Sequence, residues 1–349
     1  MSGRNKNTRG GGKTRGSNKV GGRGHATLGG GGAGRGNGNN HRGQQVPEAK
    51  GLSSRAVLAF GLSLVGFGEE RQTCGNDLSV ARFRSFFGPS PRAIKFLITL
   101  MTEYQPDDKI EMILLFMAIS WLHLYDKEHV MAGRWGFGEK YCREQVRLYV
   151  QRMQALKPHV VNFDDLSPDC KFAPLDDMHV RCHEFRCDPN STWWSHKFNG
   201  PGVGFEVVCN PTDKGLMLWA SGPHPAGTHD LTFFCGGKKK EQHLWKETAL
   251  YHNLPDTLRL VGDSAYAGQF DKVTTTMDAH SAETKELFAR MKSMQETCFK
   301  RIKDYKVLRE SFRHGKNTKD KLKKVGMSFD AVVVLVQLDI ATDHPLFEV

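Results

Sequence analysis

Three acidic residues stand in contexts that could bring them to one cation. They are Asp176 in Pro174-Leu175-Asp176-Asp177-Met178-His179, Asp263 in Leu260-Val261-Gly262-Asp263-Ser264-Ala265-Tyr266, and Glu296 in Gln295-Glu296-Thr297-Cys298-Phe299-Lys300-Arg301. The first two close apolar runs, so each is expected at a strand end with its carboxylate at the rim of a sheet. The third lies in a basic stretch of helical spacing, where Glu296, Lys300 and Lys303 share one face. Carboxylates gathered from separate elements are what a hard divalent cation such as Mg2+ or Mn2+ requires, and two such ions side by side serve displacement at phosphorus. The chemistry implied is the cutting or joining of phosphodiesters. The bland reading makes Asp176 and Asp263 turn formers and Glu296–Lys300 an exposed helical ion pair worth roughly a few tenths of a kcal/mol.

Apolar periodicity indicates the elements that must position these acids. Within residues 168–349, the segments Lys171–Cys182, Gly204–Asn210, Gly215–Ala220 and Thr257–Asp263 are short, apolar and bounded by Gly, Pro, Asn or Asp. They predict strands. Ala282–Val307 predicts a helix, and Ser328–Asp339 fits either a helix or a strand. Strands followed by a long helix make the expected fold class α/β or α+β. Residues 55–165 read as helical, with apolar positions at helical spacing through Arg92–Tyr104 and Lys109–Leu124 and a turn at Pro106-Asp107-Asp108. A short helix over Lys127–Met131, a Gly-containing stretch to Gly138 and a second helix over Glu139–Leu156 fit a helix-turn-helix. Its second helix would present Lys140, Arg143 and Arg147 on one face to DNA. A bundle with a solvated basic face fits equally well.

Charge is unevenly distributed. The chain has 49 Lys and Arg against 38 Asp and Glu, and ten of the basic residues fall in residues 1–50 beside a single acid, Glu48. That segment also carries 16 glycines and little to bury. It is expected to be disordered and to act as a basic arm gripping nucleic acid, DNA or RNA, without reading sequence. A solubilising tail is the alternative. No apolar run of membrane-spanning length and no secretory signal is evident, so the expectation is a soluble intracellular protein without a membrane partner. The eight cysteines then read as reduced thiols. His179, Cys182, His183 and Cys187, with Cys170 near, are close enough in sequence to suggest zinc, but strand geometry would put His179 and Cys182 on opposite faces. Lys238–Lys240 and Lys319–Lys324 could contact DNA or direct nuclear import, with solvated loops as the default.

Five segments in order resemble one family. An aspartate is followed closely by histidine at Asp176–His179. Trp194-Ser195-His196-Lys197-Phe198-Asn199-Gly200 comes next, then Gly222-Pro223-His224 through His229-Asp230, then Gly262-Asp263-Ser264-Ala265-Tyr266, and last the helix bearing Glu296. Over roughly residues 80–349 this resembles the PIF/Harbinger group of transposases, the DDE-superfamily endonucleases. Asp177 and Ala265 stand where that family usually has Gly.

The resemblance implies an α/β, ribonuclease-H-like nuclease domain over 168–349. It would be preceded by the helix-turn-helix-like region and the disordered basic tail. Asp176, Asp263 and Glu296 would hold two Mg2+ or Mn2+ ions, with Asp230 competing for the place of the second aspartate. Lys197, Lys300 and Lys303 would contact DNA phosphates. Self-association or an accessory DNA-binding protein would complete the assembly, and the setting would be the nucleus. The alternative is a domesticated DNA-binding protein that keeps the fold and no longer cuts.

Overall fold

The computed structural model describes residues 51–68, 76–164, 166–185, 190–211, 214–237 and 249–347. The Gly/Arg-rich tail, Lys238–Lys240 and Cys187 lie outside the described residues.

Helices come first: α1 (Ser54–Leu64), α2 (Asn76–Phe87), α3 (Pro91–Tyr104), α4 (Met112–Leu124), α5 (Glu128–Trp135), α6 (Glu139–Ala155) and α7 (Lys157–Val160). Their boundaries follow local chemistry. Ser90 caps α3 by accepting from Ala93 N at 3.1 Å, with Pro91 opening the first turn. Gly136 ends α5 in the left-handed region at φ 70°, where glycine carries no Cβ penalty. α5 runs past the expected Met131 to Trp135 because these two residues, one turn apart, are buried together.

The expected helix-turn-helix pair is α5 and α6, and its inner face is committed to packing. Cys142, Val146, Tyr149, Val150 and Met153 of α6 are buried, and Arg152 turns inward to the carbonyls of Asp108 and Lys109. Arg143 grips the Glu128 carboxylate of α5 with two bonds of 2.7 and 2.6 Å. Lys140 stands 3.9 Å from Glu144. Lys140, Arg143 and Arg147 remain exposed.

The sheet contains β1 (Phe172–Arg181), β2 (Trp194–Ser195), β3 (Gly200–Cys209), β4 (Met217–Pro225), β5 (Arg259–Gly262) and β6 (Val273–Thr275). Its order is β4-β3-β1-β5-β6, with β2 paired to the first residues of β3. β1 is antiparallel to β3 and parallel to β5, β3 is antiparallel to β4, and β5 is parallel to β6. The result is a mixed sheet with β1 at its centre. Further helices follow the sheet's turns: α8 (Asp230–Phe234), α9 (Leu250–Asn253), α10 (Ala282–Lys303), α11 (Lys306–Arg309) and α12 (Thr318–Thr342).

Alternation along β1 divides the core. Met178 and Val180 join one cluster with Phe205 and Val207 of β3, Cys298 and Ile302 of α10, and the apolar residues of α12. Ala173 and Leu175 join another, with Phe234 of α8, Leu250 of α9 and Tyr266. Ser328–Asp339 is helix, inside α12, because its residues are buried on all sides. By length and composition α12 could cross a membrane, and 83% of its apolar window is buried inside the fold. Phe329 of α12 stacks on Phe205 with ring centroids 3.9 Å apart.

Two expectations are corrected here. Asp176 does not end its strand; β1 continues to Arg181, because Asp177 pairs with Glu206 and His179 with Gly204, so the ladder carries on through the polar residues. The Lys319–Lys324 run is not a loop. It opens α12, with Lys324 bound to Asp320 at 2.7 Å and Lys321 buried, its Nζ donating to the carbonyls of His183 and Glu184.

Candidate active site

Asp176 lies on the central strand, on the face towards α10. It is half-buried, and its Oδ1 accepts from Asp177 N at 2.7 Å. Burial pushes its pKa up to about 6; the charges of Asp263 and Asp177 add to the rise, and Lys197 opposes it. Asp263 follows β5, the parallel neighbour of β1, and is exposed; its Oδ1 caps the next turn through Ala265 N at 2.8 Å. Asp230 opens α8 directly after His229, the cap of that helix. Its carboxyl is raised by burial and then by Asp177 and Asp263, with Lys197 again opposing. The Asp263 charge is thus felt by both Asp176 and Asp230, carboxylates on two other elements.

Two lysines carry charge beside Asp176. Lys197, in the turn between β2 and β3, donates to the Asp177 carbonyl. Lys303, in the last turn of α10, is half-buried; burial and the Lys197 charge lower its pKa, while Asp176 and Asp177 hold it up. Glu296 sits two turns earlier on the Lys303 stripe of α10, exposed, with Lys300 exposed between them. The carboxylates acting on Asp176 and Asp230 are Asp177 and Asp263. The helix face pressed on the sheet is held instead by the neighbouring Gln295, which is buried and donates to Val207 O at 2.9 Å. Val207 is the cross-strand partner of Asp176.

Among the described residues, no three His, Cys, Asp or Glu side chains stand close enough as placed to hold one metal ion. The donors nonetheless suit a hard divalent cation: they are all oxygen, and the raised Asp176 and Asp230 carboxyls are short of positive charge. Asp176 and Asp263 each commit one oxygen to a backbone amide. The residues considered for zinc do not gather, since His179 faces the α8 side of β1 and Cys182 packs in the other core cluster.

The opposite face of β1 carries a second polar cluster, which the sequence reading missed. Asp177 is 2% exposed and receives two histidines: His224 Nε2 bonds its Oδ1 at 3.0 Å, and His179 Nε2 lies 2.8 Å from its Oδ2. His179 Nδ1 continues to Ser195 Oγ at 2.6 Å. Burial acts to raise Asp177, and the two histidines more than reverse it, leaving its pKa below the usual carboxylate value. Glu206, its cross-strand partner on β3, is buried; burial and the Asp177 charge raise its pKa well above the ordinary value, and the Trp219 side chain opposes the rise. Gly204 makes room for the cluster, because a Cβ there would stand 2.3 Å from His224 Cε1 and 2.9 Å from Asp177 Oδ2.

The cluster ties together the elements of the site. Asp177 adjoins Asp176 on β1. Ser195 lies two residues from Lys197. His224 stacks on Phe233 of α8, the helix that Asp230 opens, with ring centroids 3.9 Å apart. The sequence signals were Asp177 in a place the resembling family gives to Gly, two residues before His179 on the same strand face, and Ser195 and His224 within the segments that carry the resemblance.

Comparison of the chain with protein-family models, with curated proteins and with solved structures finds no match.

Proposed function

We propose that the chain is a metal-dependent DNA nuclease or transposase of the DDE type on a ribonuclease-H-like sheet. The observation that carries this reading is the strand order β4-β3-β1-β5-β6 with its antiparallel and parallel halves. It sets Asp176 on the central strand beside Asp263, which follows the neighbouring parallel strand. Ligands in sheets with parallel strands tend to sit beyond the carboxyl ends of those strands, where Asp263 stands. The motif order of the sequence supports the same reading.

In this reading Asp176 and Asp263 hold the divalent ions, and Asp230 is the competing acid for the site. The bound ions would supply an activated water or DNA 3′-hydroxyl and charge stabilisation for the leaving oxygen. Lys197 and Lys303 place positive charge beside the carboxylates, where a phosphodiester would otherwise meet only repulsion. The Asp177 cluster keeps Asp176, Lys197 and Asp230 in register. Lys140, loosely paired with Glu144 at 3.9 Å, and Arg147 of α6 are exposed cations that can meet DNA, while Arg143 must first leave Glu128.

The test is Mn2+-dependent nicking of supercoiled plasmid. The Asp263→Asn protein should lose at least about 100-fold in rate, the usual scale for removing one element of charge stabilisation. Asp230→Asn and Glu296→Gln, run beside it, assign the third acid by which of them loses as much. Nicking at the wild-type rate by Asp263→Asn would sink the reading. A binding-only protein is the second reading, and the exposed Glu296, outside the carboxylate group, is what favours it. It predicts DNA binding with no nicking by any variant.

A further inference from the structure

On the flank of α10 opposite Lys303, the helices α2, α4, α10, α11 and α12 line an open cavity of about 470 Å3. Its wall is basic, contributed by Arg84, His123, Arg301, Lys306 and Arg309. Asp304 and Asp339 are the acids on the wall, so the four Lys and Arg charges exceed the carboxylates by two.

The cations are of two kinds. Arg84 and Arg301 are fixed: Arg84 Nη1 contacts Asp339 Oδ1 at 3.0 Å, and Arg301 donates to the carbonyls of His344 and Pro345 at 2.6 and 3.0 Å. Asp339 is occupied further by Ser90 N at 2.8 Å. Lys306 and Arg309 have no carboxylate within ion-pair distance among the described residues. Lys306 is half-buried, a setting in which an unpaired ammonium is poorly solvated.

His123 reports the local field. Its Nδ1 is buried and unpartnered. Burial, then the charges of Lys306, Arg84 and Arg309, hold its pKa down to about 4. The wall behind it is tight, for a Cβ on Gly88 would meet both His123 Nδ1 and Tyr305 Oη at 3.0 Å. A rigid concave surface with surplus cations, two of them uncompensated, fits an anion with several oxygens. Guanidinium forks favour phosphate in particular.

We propose that this cavity binds a phosphate group, contributed by a DNA backbone or by free pyrophosphate. The DNA form rests on the function proposed above; the pyrophosphate form does not.

Two probes distinguish the sources, both on the full chain: a fluorescent DNA duplex titrated across a series of KCl concentrations, and pyrophosphate by calorimetry. In the K306Q/R309Q protein, a backbone site shows a log K against log salt slope smaller by about 1 to 2, at about 0.9 per phosphate lost. A pyrophosphate site shows at least about a tenfold loss of pyrophosphate affinity, the effect of about 1.4 kcal/mol. The charge-keeping K306R/R309K protein should retain whichever signal the wild type gives. Unchanged behaviour of K306Q/R309Q in both assays overturns the proposal. In the wild type, one probe or the other must also shift the His123 ring resonances, and a shift from neither overturns it without reliance on a variant. A wild type that binds phosphate at this cavity and does not nick DNA counts against the nuclease alone.

Discussion

Asp176→Asn should raise the stability of the metal-free protein at mildly alkaline pH while abolishing metal-dependent nicking. Burial holds the Asp176 carboxyl up at about 6 in the folded chain, against an ordinary value of 3.8. A carboxyl raised on folding carries no penalty below its unfolded pKa. The penalty then grows as pH rises through the interval between the two values and is complete above the folded one. Two pH units correspond to about 3 kcal/mol at about 1.4 kcal/mol per unit. Asn removes the charge and keeps an oxygen to accept from Asp177 N. The variant should therefore melt several degrees higher, on the scale of about 2–4 °C per kcal/mol for a large domain. The gap should close when melting is repeated near pH 4. A gap of the same size at both pH values would show that something other than the buried charge sets it. Divalent cation should stabilise the wild type and leave the Asn protein unmoved, because the cation supplies what the unpaired carboxylate lacks.

The same contrast explains how far the sequence could be read. The strand segments around Asp176 and Asp263 were visible because apolar runs bounded by turn residues announce strands whatever they pair with, and α10 begins within one residue of its expected start. β6 was not visible, since the three residues Val273–Thr275 are too few to show alternation. The phase of α10 was equally hidden. Glu296 and Gln295 are both polar, and periodicity cannot tell which of them faces the sheet; packing settles it in favour of Gln295. The Asp177 cluster was beyond reach for another reason. A single strand shows Asp177 and His179 on one face, but only the β1–β3 and β3–β4 registers set Glu206 and His224 opposite them. The cavity at His123 likewise joins residues from five helices that no local pattern connects.

Asp177→Ala should be among the most damaging single changes in the chain, on the order of 3–5 kcal/mol, because it strands two buried imidazoles without their common acceptor. Asp177→Asn retains the shape and one acceptor, so a smaller loss of about 1–3 kcal/mol is expected. The urea midpoint would measure both. The sign of the pH dependence is fixed by the lowered pKa of Asp177: its contribution is present above the ordinary carboxylate pKa and is lost as pH falls through the folded value. Wild type and Asp177→Ala should accordingly converge in acid, the reverse of the low-pH behaviour expected at Asp176 only in cause, since there the unfavourable term disappears and here the favourable one does. Gly204→Ala is the control that leaves every ionisable group in place. Its added carbon would stand 2.3 Å from His224 Cε1, so it should unseat the cluster by overpacking alone, typically by about 1–3 kcal/mol. If Gly204→Ala matched the wild type while Asp177→Ala collapsed, the charge contacts would matter without the close packing. If both failed together, Lys197 and α8 should loosen with them, and nicking should fall even where Asp176 and Asp263 are intact.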